Sequence, residues 1–162
     1  HYRLFNESQG VYTQENITPT QSQVYDSHEK KTNTFAVKKG NIDIEAVLLI
    51  ARQRLLRGDE RPLNLVVQKN SNGDSYTVNI KLKNLPTLKM DTVLGKQIKI
   101  VKLSYKNHHG FTFVFYLAPN YLYFPVEVIQ YKPSGSEFIK LILDTVHMQK
   151  SPNCIYRQPS SA

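Results

Sequence analysis

The chain has 162 residues, 40% apolar and 10% aromatic, with 21 Lys and Arg against 13 Asp and Glu for a formal net charge of +8. That length suits one ordinary hydrophobic core, and the expectation is a single β-rich domain over residues 1–146 followed by a flexible tail over 147–162. The longest apolar run, Ala46 to Ala51, is far too short to cross a bilayer, and one cysteine, Cys154, excludes an internal disulfide.

Residues 2 to 9 read as a short strand and 10 to 18 as a loop. Gln21, Gln23 and Tyr25 alternate with smaller residues and 32 to 37 alternate again, which predicts a strand pair turned at 26 to 30. Asp43 then opens a different pattern. Ile44, Val47, Leu48, Ala51 and Leu55 recur at helical spacing, with Asp43 placed as N-cap and Gly58 as the stop. Leu49, Ile50 and Leu56 add a second apolar face, so this helix, near residues 43–57, is expected to be buried on more than one side against a curved sheet.

After Pro62 the period becomes two. Leu63, Leu65 and Val67 lead into a turn over residues 69–74 with Asn-Gly at the reversal, and Tyr76, Val78, Ile80 and Leu82 lead away. Ile98, Ile100 and the run 103 to 105 reach Asn107-His108-His109-Gly110, from which Phe111, Phe113 and Phe115 return. Residues 121 to 130 reach Lys132-Pro133-Ser134-Gly135, and 138 to 143 return. Short strands joined by tight turns, with one helix inserted, predict a mainly β fold: an antiparallel meander curved into a partial or complete barrel.

The chemistry-bearing residues point to binding. In Lys81-Leu82-Lys83 and Lys99-Ile100-Val101-Lys102 the lysines alternate with apolar residues, which marks a solvated face or a protected edge, not a nucleic-acid footprint. Phe113 and Tyr116 lie on opposite sides of one strand, so both sides are expected to be covered or one to line an apolar cavity, with Tyr121 and Tyr131 at its rim. Arg52, on the flank of a buried helix, needs an acceptor such as Glu7 or a ligand anion. His108 and His109 project differently from a turn and lack a third ligand nearby, so no metal is expected. No G-x-S-x-G, H-E-x-x-H or phosphate-binding glycine loop occurs, and neither enzyme activity nor a cofactor is expected.

Asp43 with Arg52 nine residues on, Thr92-Val93-Leu94-Gly95, and Tyr116-Leu117-Ala118-Pro119-Asn120 followed by Pro125-Val126-Glu127-Val128 give the chain a further character. In these positions it resembles the C-terminal two-thirds of the bacterial family known as domain of unknown function 3108. Tyr116 stands where that family has Trp, Ala46 where it often has Ser and Leu49 where it often has Tyr. The resemblance makes Asp43, Gly95, Pro119 and Pro125 structural motif residues. It implies export to the periplasm of a Gram-negative cell, with the signal peptide outside this chain, and a sheet similar to lipocalins or lipoprotein carriers.

The functional expectation is a non-enzymatic periplasmic binding or envelope-maintenance protein holding a lipid or glycan ligand on a concave sheet, through Arg52, Phe113, Tyr116, Tyr121 and Tyr131. A module pairing with another envelope protein through a sheet edge is the alternative, and a hydrolase of envelope polymers ranks behind both.

Overall fold

A computed structural model describes residues 5–12, 17–26, 31–42, 44–147, 153–157 and 159. The chain divides into two compact units, one of residues 1–59 and 63–79 and one of residues 60–62 and 80–162. Both are antiparallel β structures, and the mainly β expectation holds. Among the described residues the strands form open sheets, and none closes into a barrel.

The first unit begins with a three-stranded sheet of β1 (Phe5–Tyr12), β2 (Ile17–Asp26) and β3 (Lys31–Ala36) in that order. The expected strand pair is β2 with β3, in the register Ser22 to Phe35 and Asp26 to Lys31. β1 runs three residues past its expected end.

The helix α1 (Ile44–Leu56) lies beside β1, β2 and β4 (Leu63–Gln68). Ala46, Val47, Ala51 and Leu55 are buried. Ala46 and Leu55 lie on opposite sides of the helix and Ile50 is half-buried, so α1 is buried on more than one side as expected, except along a narrow stripe where Leu49 and Leu56 are exposed, at 38% and 50%.

The helix ends as the sequence indicates. Gly58, at φ +69°, occupies the left-handed position. Its N–H donates to the Leu55 carbonyl (3.1 Å) and the Asp59 N–H to that of Arg54 (3.0 Å), the two bonds of a Schellman stop. The Arg54 guanidinium closes the turn on Asp59 at 3.1 Å. Asp43, the expected N-cap, lies outside the described residues, as does the Glu7 side chain.

β4 pairs with β5 (Ser75–Ile80) in a hairpin tied to the chain before α1 by a backbone bridge at Ile42 and by a buried amide. Gln68 is 2% exposed. Its Oε1 accepts from the Lys38 N–H (2.8 Å), and its Nε2 donates to the carbonyls of Ala36 (2.9 Å) and Asn70 (2.8 Å). Next to it Ile42 makes a parallel bridge to Val67. The Asn-Gly reversal is held by Asn70, whose Oδ1 accepts from the N–H groups of Asn72 and Asp74. Gly73 is required by its φ of +85°, and the end of the flexible Lys38 side chain lies against it.

The second unit is a six-stranded antiparallel sheet in the order β11 (Asn153–Arg157), β10 (Glu137–His147), β9 (Phe124–Tyr131), β8 (Thr112–Ala118), β7 (Gly95–Lys106) and β6 (Thr87–Thr92). The region expected as a flexible tail contains β11, which pairs with β10 from Ile142–Arg157 to His147–Asn153.

Two hairpins repeat one plan. The N–H groups of Gly110 and Gly135 donate back to the carbonyls of Asn107 and Lys132, and the N–H groups of Asn107 and Lys132 donate to Phe111 and Ser136. The Thr92–Gly95 motif is the β6–β7 turn. It is held by Thr92 Oγ1, which accepts from Leu94 N–H, and by Asp91 Oδ1, which accepts from Gln97 N–H.

The alternation along β7 slips by one residue at Ile100-Val101. Ile98 and Ile100 are buried on one face and Val101, Leu103 and Tyr105 on the other. Around Ile98 and Ile100 gather Ala118, Val126 and Leu143, fringed by Met90, Leu94, Tyr116 and Phe124. On the opposite face Tyr105, Phe113 and Phe115 stack, with centroids 5.4 to 6.4 Å apart.

Candidate functional site: a tyrosine and ion-pair cradle on the sheet

Cross-strand register decides which side chains meet. Lys102 on β7 faces Tyr116 on β8, which faces Glu127 on β9. One row further, Val114 faces Ile129, which faces Lys140 on β10, and a third row pairs Thr112 with Tyr131. Directly opposed residues point to one face of a sheet, and steps of two keep that face. Tyr116, Glu127, Tyr131, Lys140 and Lys102 therefore share a face, floored by buried Val114 and Ile129. Tyr116 and Thr112, the partner of Tyr131, are separated by about 13 Å of strand.

The polar groups interact. Lys140 Nζ lies 3.3 Å from Glu127 Oε1, with the carboxylate side chain 11% and the lysine 32% exposed. Lys102 Nζ sits 6.0 Å from the centroid of the Tyr116 ring. Burial pushes the Tyr116 hydroxyl above its ordinary pKa. Tyr131 and the Glu127 carboxylate push it further, and Lys140 acts in the opposite sense. The Tyr116 phenol therefore stays protonated at neutral pH and can donate a hydrogen bond.

Two local features place this row. A bulge between Tyr116 and Leu117 sets Tyr116 opposite Glu127 and Leu117 opposite Pro125. Pro125, early in an interior strand, sits at that irregularity, where a missing N–H costs little. Before it the chain reverses through a 3-10 turn, Pro119–Tyr121, with Pro119 at its start and Leu122 and Tyr123 at φ of +55° and +54°.

Of the residues expected to bind, the fold brings Tyr116 and Tyr131 onto one face. Phe113 is on the other, in the Tyr105 and Phe115 stack. Tyr121 is 43% exposed at the 3-10 turn, its hydroxyl donating to the Leu94 carbonyl at 3.4 Å. Arg52 is half-buried on α1 of the first unit. The sequence pattern placed Lys102 on a solvated face, where the structure has it half-buried beside Tyr116, and it gave no binding role to Glu127 or Lys140. Glu127 falls within the Pro125 to Val128 motif, and its parity with Tyr131 was the available signal.

His108 and His109 stand with ring centroids 3.7 Å apart in the β7–β8 turn. Among the described residues no three His, Cys, Asp or Glu side chains are grouped to hold a metal ion, and no helix is long and apolar enough to cross a membrane. Comparison with family models, with curated proteins and with solved structures finds no match to this chain.

Proposed function

We propose that this chain is a non-enzymatic binding protein that holds a carbohydrate-bearing ligand on the Tyr116 and Tyr131 face of its sheet. The observation that carries the reading is the sharing of one face by two tyrosines, an aliphatic floor and the 3.3 Å Glu127 to Lys140 ion pair. Flat phenol rings stack on the apolar side of a pyranose, while a carboxylate, an ammonium and phenol hydroxyls meet its equatorial oxygens. An unadorned alkyl chain would take water from that charged pair and offer it no hydrogen bond in return, a desolvation cost that disfavours such a ligand. Lys102 and Lys140 favour a ligand bearing an acidic group.

The resemblance to domain of unknown function 3108 supports a periplasmic, envelope-maintenance setting, where such ligands occur, and a sheet curved in the manner of lipocalins or lipoprotein carriers. Native mass spectrometry of the protein purified gently from an envelope fraction tests the reading. A sugar-containing adduct, lost in a folded Tyr116→Ala/Tyr131→Ala variant, is the expected result. A bare mass in wild type, or an adduct the double variant retains, would remove it.

A further inference from the structure

We infer that β6 is a docking edge for a second copy of this chain, pairing antiparallel with its counterpart about a two-fold axis at Met90. β6 ends the sheet order, with β7 its one strand neighbour among the described residues. Its side chains stay open to solvent: Thr87, Lys89 and Asp91 are exposed, Leu88 is 36% exposed, and Val93 beyond it is 50% exposed.

Backbone parity fixes which residues can pair. The Pro86 carbonyl accepts from the Lys102 N–H at 2.9 Å, and Leu88 and Met90 face Ile100 and Ile98. In an antiparallel ladder the polar groups of Pro86, Leu88 and Met90 then turn towards β7, and those of Thr87 and Lys89 turn outwards. Two copies related at Met90 set Lys89 against the partner's Asp91, and Asp91 against the partner's Lys89. This register satisfies the parity, because Lys89 and Asp91 have the same sense along the strand.

The side chains complement each other in that register. Lys89 faces Lys99 across the β6–β7 pair, a like-charged neighbour that costs stability. The partner's Asp91 would relieve it through Oδ2, its Oδ1 accepting from the Gln97 N–H and Nε2 within its own turn. On the opposite face Met90, at the fringe of the Ile98 and Ile100 core, would meet the partner's Met90, and Leu88 the partner's Thr92. The core would then run unbroken from one copy into the next. Because the ladder is irregular between Met90 and Thr92, the paired stretch is short. The association is accordingly a weak, concentration-dependent dimer.

The test uses the whole chain in sedimentation-velocity and cross-linking experiments. Lys89→Pro removes an outward N–H that β7 does not use. It is expected to weaken the dimer at least tenfold with the melting temperature little changed. Residues opposed across the axis in a non-hydrogen-bonded pair come within disulfide reach. Met90→Cys in a Cys154→Ser background is therefore expected to cross-link under mild oxidation, and Leu88→Cys in the same background is not. A monomer at every concentration with no Met90→Cys cross-link would overturn the inference. Association that survives Lys89→Pro would place the contact on another surface. Protection of β6 amides from exchange only when an envelope extract is added would make the occupant another protein, and would equally overturn pairing between copies.

Discussion

Replacing Gln68 with alanine tests how the first unit is fastened. The side chain is 2% exposed and makes three hydrogen bonds of 2.8 to 2.9 Å, to the Lys38 N–H and to the carbonyls of Ala36 and Asn70. At about 1 kcal/mol net for each bond, the loss comes to about 3 kcal/mol. That equals roughly a hundredfold faster hydrogen exchange at the Lys38 amide, where exchange follows opening of this junction. Gln68→Glu adds a pH signature. Its carboxylate would face two carbonyls that now receive N–H groups, so its folded pKa is raised above the unfolded value of about 4.3. The penalty is then small below about pH 4 and grows as pH rises through the folded pKa. Exchange read by mass spectrometry and urea melts at pH 4 and pH 7 give both results. A Gln68→Ala change below about 0.5 kcal/mol, or a Gln68→Glu variant more stable at pH 7 than at pH 4, would refute the reasoning.

Further outcomes follow from the same packing. Phe113→Ala opens the Tyr105 and Phe115 stack and should cost about 2 kcal/mol in urea melts, with ligand retention by the folded protein unchanged; lost retention at full stability would contradict the face assignment. Glu127→Gln should lower the Tyr116 pKa and Lys140→Ala should raise it, read by NMR titration with Tyr116→Phe to assign the resonance; shifts of the reverse sign would contradict the cradle geometry. Burial pushes the Tyr76 hydroxyl up to about 12 from 10.0. A folded pKa above the unfolded one stabilises fully below pH 10 and loses that contribution as pH rises towards about 12. Tyr76→Phe should flatten this part of the alkaline stability curve, and an unchanged slope would show that Tyr76 does not cause it.

Much of this fold was legible in the sequence because its signals are local. The helix spacing with Gly58, the Asn70 to Gly73 reversal and the Asn107 and Lys132 turns each depend on a few adjacent residues, and each appears where its chemistry put it. The strand β6 escaped notice because Leu88 and Met90 alternate with Lys89 and Asp91 over only six residues, short and polar as edge strands are. β11 escaped because Asn153–Arg157 is embedded in Ser- and Pro-rich surroundings and needs β10 as its partner.

The cradle was half legible. Odd spacing between Phe113 and Tyr116 already set them on opposite faces. Placing Tyr116 beside Glu127 instead required knowing the bulge at Leu117, and placing Lys140 beside Ile129 required the irregularity between Glu137 and Ile139. A one-residue slip in either ladder exchanges every side chain between faces, and such slips are fixed by long-range pairing.

The most direct test of the proposed function is an NMR titration of the labelled protein with a soluble muropeptide, an acidic amino-sugar ligand of the proposed class. Saturable shifts are expected at Tyr116, Tyr131, Glu127 and Lys140, abolished by Tyr116→Ala, with Tyr105 and Phe113 on the opposite face undisturbed. Shifts confined to the Tyr105 and Phe113 face, or none from this ligand or a panel of other acidic glycans, would contradict it.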